Sequence, residues 1–441
     1  MRLSRLAALI LVCCPHDVAA QSAAPPLAQR VQRLCEAYWQ GFGSAETLVL
    51  YHHRLDGPRG IAALADPREI AAGTVRGKPM PYGYGSGIQD VVLENGQLLF
   101  ALCDAQEATG DAYFAELARR LFAGLRRVAT LSPEPGFVPR GPHPDGKSYY
   151  RDSSRDQHAA FVEALWRYSR WPLATDEDRR FAADQLDKFA QRMQRNGWQI
   201  LVEDNSRQAH VGFCWLQPTS IGAASLLSAL AQVVQATGSA DWRAEYERLS
   251  EEKDRLRWRV LLHPDGAQWR SMTLYSNQFA QALEALRRAE SDPQRRQQIH
   301  DLLRRRALRA IEGNVFDPEC WRRLDWAGQQ DETQIEPQLK SLGISLGEPA
   351  TALELHQKFD VGRWRQADTA GQNMYGKLCF GLATVACHEA LLCGDKDLVQ
   401  RVAPTVERMV DQMLALDRDY QQGENLNRAT LLGVLLRGCK R

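Results

Sequence analysis

The chain has 441 residues, 55 Lys and Arg against 54 Asp and Glu, and a formal net charge of +1. That balance argues against a nucleic-acid binder, which would show a clear basic excess. Length alone would allow two or three domains, but α/α toroids of this size form one.

Arg2 and Arg5, an apolar run from Leu6 to Cys14, and Val18-Ala19-Ala20 before Gln21 read as a cleavable export signal over residues 1–20. The run of about nine apolar residues is too short to span a bilayer, and no later segment is expected to reach that length. The expected mature protein, residues 21–441, is a single secreted or periplasmic domain, off the membrane once the signal is removed. Eight cysteines remain after cleavage: Cys35, Cys103, Cys214, Cys320, Cys379, Cys387, Cys393 and Cys439. They are scattered and include no CxxC pair, so zinc is not expected. Cys103, Cys379 and Cys387 fall within apolar helices and are expected to be buried free thiols, while one or two disulfides elsewhere remain open.

Leu27 to Trp39 reads as an amphipathic helix, followed by a Gly- and Pro-rich loop from Gly41 to Gly87. Ile88 to Ala108 is then a long apolar helix, stopped by Thr109-Gly110-Asp111, and a more charged helix runs from Ala112 to about Leu131. Similar punctuation returns near Thr175, Gly238, Asp292 and Gly394, and an irregular turn near Gly343 to Gly347 would fill the remaining gap. Ser220 to Thr237 is apolar nearly all round, whereas the segment that follows it carries charge on most turns. Helices of the first kind are buried and those of the second face solvent. About six such hairpins predict an all-α fold closed as an (α/α)6 toroid, with a few short β-hairpins at the rim.

In that topology the loops leading into the inner helices meet at one end. They carry Tyr82, Tyr84 and Asp90; Tyr149, Tyr150, Asp152 and Asp156; His210, Phe213, Trp215 and Gln217; Trp269, Arg270, Tyr275 and Asn277; and Trp364, Asp368, Gln372, Asn373 and Tyr375. Aromatic rings with convergent amides and acids are what a ligand site contains. The densest stretch is Gly136 to Tyr168, a proline-rich loop running into a helix, with Arg151, Arg155 and Gln157 at the junction.

Asp156 is the first candidate for proton transfer, with Asp152 and Asp90 as partners, because glycoside hydrolysis needs two carboxyls flanking the bond. The competing reading of Asp156 is a capping box, from Ser153-x-x-Asp156 or Ser154-x-x-Gln157. Asp152, just outside the helix, is expected to point into the cleft. Tyr84, Tyr149, Tyr150, Trp215, Trp269 and Tyr375 are candidate sugar contacts, although single aromatics are more often core. Arg151 and Arg155 could clamp a carboxylate or sulfate, or else pair with Asp152 or Glu163. His210 is a possible lyase base or a hydrogen-bonded structural histidine. His52-His53 shows no companion acidic cluster, so neither a metal nor a cofactor is expected. The expected partner is an oligosaccharide or polysaccharide.

The stretches GFVPRG, HPDGKSYY and DSSRDQ, together with GYGSGIQD over Gly83 to Asp90, resemble secreted bacterial proteins of the (α/α)6 glycosidase-like superfamily. The match spans Pro81 to Tyr168, and Gln89 stands where that group would carry Glu. The superfamily includes unsaturated glucuronyl and rhamnogalacturonyl hydrolases and toroid-bearing polysaccharide lyases. The resemblance implies an acid/base Asp at the mouth of an inner helix, with aromatic and Arg contacts to a uronic or modified sugar. A glycoside hydrolase is the leading expectation; a polysaccharide lyase with a Tyr or His base and a non-catalytic glycan-binding toroid are the alternatives.

Overall fold

The computed structural model describes residues 25–263, 274–313, 350–366, 375–416 and 423–439, and positions 337 and 340. Their regular structure is helical, almost all of it α-helix, apart from one antiparallel pair, Thr74–Val75 with Lys78–Pro79, so the fold is all-α. The long helices are α1 (Leu27–Phe42), α3 (Val91–Thr109), α4 (Ala112–Ala129), α5 (Arg155–Ser169), α6 (Asp176–Arg195), α7 (Ser220–Thr237), α8 (Ala240–Leu262), α9 (Leu274–Ala289) and α10 (Pro293–Glu312). Toward the C-terminus follow α13 (Leu382–Cys393), α14 (Lys396–Leu414) and α15 (Gly423–Cys439), with short α2 (Pro67–Ala72), α11 (Ala352–Gln357) and α12 (Val361–Gln366) in the connections. Among the described residues the expected turns are built by local chemistry. Gly110, Gly238 and Gly394 end their helices in the left-handed conformation, while Thr175 and Asp292 cap the helices that follow them.

The neighbour relations are cyclic. Helix α3 packs on α5, α5 on α7, α7 on α9, α9 on α13, α13 on α15, and α15 back on α3. Against this cycle lie α4, α6, α8, α10, α14 and α1, which carry the charge. The apolar helices α7 and α13 are buried over nearly every residue of their inner turns. Two helical stretches, Ser220–Thr237 and Gly376–Cys393, are long and apolar enough to cross a membrane, contrary to the sequence expectation. In the fold that apolar surface is mostly buried against neighbouring helices. One continuous hydrophobic cluster runs from Leu27 in α1 to Leu436 in α15.

The last member of the cycle is not where the turn spacing predicts it. The region near Gly343 to Gly347 lies outside the described residues, and α15 takes the place beside α3. Its outer partner is the first helix: Val31 packs on Gly433, and Asn427 Nδ2 donates to the Tyr38 hydroxyl at 3.2 Å. Those two contacts run in opposite directions along the chain, so α1 and α15 form an antiparallel pair. Arg30 fastens α1 to α14 through Glu407 and Asp411, both within 2.8 Å.

Away from the loops that carry the candidate residues, ion pairs tie the helices together. Asp104 of α3 binds Arg167 of α5 and Arg288 of α9, and Glu284 binds Arg287 and Arg288, all within 2.7 Å. Nearer the middle, burial pushes the Glu163 carboxyl well above the usual carboxylate range, with Gln281 as its partner. Among the described residues Cys35, Cys103, Cys214, Cys379, Cys387, Cys393 and Cys439 are free thiols, and Cys103, Cys379 and Cys387 are buried as expected. Cys320 lies outside them.

Candidate active site

The N-termini of α3 and α5 are brought together by a close helix approach. Gly96 of α3 faces the backbone of Ala160, where an added Cβ would sit 2.7 Å from the carbonyl oxygen. Only a residue without a side chain allows this spacing. One turn above, Gln157 of α5 reaches across: its Oε1 accepts the Leu93 N–H at 2.8 Å, and its Nε2 donates to the Gln89 carbonyl and to Asp90 Oδ1 at 3.3 Å or less. The Arg140 carbonyl accepts the Val92 N–H. The amides at the start of α3 are thus satisfied from outside the helix, and Asp90, at the N-cap position, caps nothing with its side chain.

This leaves the Asp90 carboxyl available for another role. Its pKa is raised to about 6, first by burial and then by the negative charge of Glu94, with Asp156 adding in the same direction. His52 and Arg140 oppose the rise. A carboxyl so placed keeps its proton close to neutrality, the requirement for a general acid.

Asp156 sits in the first turn of α5, and neither proposed capping box forms. Ser154 makes no side-chain cap, and the Ser153 hydroxyl donates to the Val138 carbonyl instead. Asp156 pairs with Arg155 at 3.1 Å, and Arg155 also donates to Gln278 of α9 and lies over the Phe213 ring. Two carboxyls on adjacent helices, one with its pKa raised by burial and one held against a guanidinium, therefore share this end of the cycle.

Several sequence candidates belong to the scaffold. Asp152 is fully buried and does not point into a cleft: its carboxylate accepts the N–H groups of Ser153 and His210 and binds Arg207 at 2.9 Å. Trp215 is fully buried against Phe189 and His158, and Tyr375 is buried with its hydroxyl donating to the Lys358 carbonyl. Tyr150 is buried as well. Its hydroxyl donates to the Thr74 carbonyl, and its ring lies where a Cβ on Gly83 would fall at 2.4 Å. Each of the three rings fills space that the chain itself supplies, so none is free to stack on a sugar.

Other candidates stay on the surface. Tyr84 is 64% exposed. Arg151 is also open to solvent and lies 3.4 Å from Glu203. Tyr149 donates to Glu203 at 2.5 Å, and burial followed by that carboxylate pushes its hydroxyl up to about 12. His210 stacks on Tyr82 with ring centroids 3.6 Å apart. Its backbone N–H binds Asp152 and its carbonyl accepts from Arg140, so the loops before α3, α5 and α7 interlock at this residue. Trp269, Arg270, Asp368, Gln372 and Asn373 lie outside the described residues, as do the side chains of Tyr275 and Asn277.

Two functional candidates escape the sequence reading. Glu94 is a buried carboxyl near the start of α3, one turn beyond Asp90, and His52 Nδ1 lies 3.3 Å from its Oε1. His52 thus has an acidic neighbour, 42 residues away in the chain. The signal that could have found it is a charged residue four positions after Asp90, next to the apolar run that opens the helix. Among the described residues no group of three or more His, Cys, Asp or Glu could hold a metal ion. Comparison with family models, curated proteins and solved structures finds no match to this chain.

Proposed function

We propose that the chain is a glycoside hydrolase acting on a glycan fragment that contains uronic acid or another modified sugar. In this reading Asp90 protonates the leaving oxygen, and Asp156 is the second carboxyl, acting on water or on the sugar. Arg155 and Arg151 contact an acidic group of the substrate, and Tyr84 and the Tyr82–His210 stack meet its rings. The observation that carries the proposal is the Asp90 carboxyl, free of any capping role and raised to about 6 beside Asp156. The cyclic packing order supports a closed (α/α)6 toroid, and the resemblance over Pro81 to Tyr168 supports the superfamily. Export through residues 1–20 belongs to the same reading.

A lyase needs a strong base at the site. Tyr149 and Tyr150 are poor ones, because burial raises both hydroxyls and each already donates to a protein acceptor. The test is a panel of acidic oligosaccharides, read for new reducing ends and for the ultraviolet absorbance of an unsaturated product. Hydrolysis predicts reducing ends without new absorbance, and Asp90→Asn should abolish them. Absorbance growing with turnover would transfer the assignment to a lyase, and binding without turnover would make the chain a glycan-binding protein.

A further inference from the structure

Arg155 and Asp156 are consecutive residues at the start of α5, and consecutive side chains leave a helix about 100° apart rather than facing each other. Their pairing is therefore no default of the helix. Arg155 bends back so that its Nε and Nη2 both reach Asp156 Oδ1, at 3.2 and 3.1 Å. Two other elements hold the guanidinium there. Gln278 of α9, itself buried, accepts from Nη2 at 3.1 Å. The Phe213 ring, in the loop before α7, meets the guanidinium with its central carbon 5.6 Å from the ring centroid. Among the described residues no hydrogen bond reaches Asp156 Oδ2. We infer that Gln278 and Phe213 are positioning residues acting through Arg155: they fix Oδ1 of Asp156 and leave Oδ2 as the oxygen that meets water or the sugar. The inference rests on the reading of Asp156 as the second carboxyl, but its central measurement does not require turnover.

An unbraced arginine samples many rotamers and pairs weakly with an acid that water also reaches. A planar guanidinium held at its edge by an amide oxygen and on its face by a ring keeps one orientation. Nη2 carries two hydrogens, so the one given to Gln278 sets the direction of the one given to Asp156. The brace also brings α9 into a site otherwise built on α3 and α5. Without it the Asp156 carboxyl is free to turn, and misplacing a reacting oxygen lowers turnover more than it lowers binding. If Arg155 served the substrate alone, the same change would weaken binding and leave turnover intact.

The test compares the full chain with Gln278→Leu, which removes the acceptor and keeps the bulk, and Gln278→Glu, which restores an acceptor. The Arg155 Nε–H signal is followed by nitrogen-15 NMR and assigned by its disappearance in Arg155→Lys. In Gln278→Leu it should shift and exchange faster with water, and in Gln278→Glu it should return toward the parent, with denaturant midpoints nearly unchanged. On oligosaccharides of galacturonate, alginate and hyaluronan, kcat should fall about tenfold in Gln278→Leu while KM stays within about threefold. Gln278→Glu should recover most of the rate. An Arg155 signal unchanged in Gln278→Leu, or a higher KM at parental kcat, overturns the inference. A responding signal in a protein that hydrolyses nothing would uphold the brace and refute the hydrolase reading. If Gln278→Leu fails to fold, Phe213→Leu decides instead: it removes the ring beside the guanidinium, and an Arg155 signal that stays in place counts against the inference.

Discussion

Asp90, Asp152 and Asp156 look alike in sequence and meet three different environments. The Asp90 carboxyl is raised above its unfolded value, so ionising it opposes folding. The contribution is unfavourable above the folded pKa of about 6 and disappears as pH falls below the ordinary range near 3.8. Asp90→Asn should therefore stabilise the protein at pH 8 by about 1–3 kcal/mol relative to its effect at pH 3.5, measured as a difference in denaturant midpoints. Replacing Asp152 should destabilise instead. Asp152→Ala strips the acceptor from two backbone amides and from Arg207, costing about 2–4 kcal/mol, while molecules that still fold keep their turnover. Asp156→Asn should melt close to the parent and lose about 10² or more in rate. The sequence distinguishes none of these roles. Position beside a helix start is visible in it, but the amide that does the capping comes from Gln157, 67 residues beyond Asp90.

At the level of elements, the turn chemistry of Gly110, Thr175, Gly238, Asp292 and Gly394 marks the helix hairpins, and Ser220–Thr237 is bounded in the structure as the sequence places it. The signals are local: a left-handed glycine or a capping side chain acts within one turn of its own helix. What is not local goes unread. The pairing of α3 with α5 depends on Gly96, which in sequence is one small residue in an apolar helix. Gly96→Ala should force the two helices apart and cost about 1–3 kcal/mol. Turnover should fall further than that stability loss explains, since Asp90 and Asp156 lie one on each helix. Burial of Trp215, Tyr150 and Tyr375 escapes the sequence for the same reason. A rim loop rich in aromatics reads alike whether its rings face a sugar or another loop.

At the level of the whole molecule, the charged cluster at the opposite end of the cycle is the feature most exposed to single changes. Burial works against ionised Asp104, but the charges of Arg288 and Arg167 outweigh it and hold the carboxyl below its usual range. A depressed carboxylate contributes stability above its unfolded pKa and loses it as pH falls through the folded value. Arg288→Met leaves Asp104 and Glu284 short of a partner and should cost about 3–5 kcal/mol at pH 7. The loss should shrink in acid, as an equilibrium urea series at pH 7 and pH 3.5 would show. The all-α class was legible because inner and outer helices differ in charge. The closing pair was not, because α1 and α15 share no turn and no proximity in sequence.

That closing pair also says something about how the molecule is made. Because α15 covers one flank of α3 and is made long after it, the opening hairpins wait with an apolar flank uncovered until α15 is available. Contacts of such long sequence separation slow folding and lengthen the time spent open to aggregation. The wait can be removed without changing any side-chain contact. Because α1 and α15 run antiparallel, Cys439 ends beside the start of α1, and a short Gly-Ser linker could join them. New ends cut at Gly238, an exposed turn between α7 and α8, would make α15 and α1 neighbours in the chain. This permutant should reach the same equilibrium stability to within about 1–2 kcal/mol and refold faster than the parent at equal denaturant, with less protein lost to precipitate.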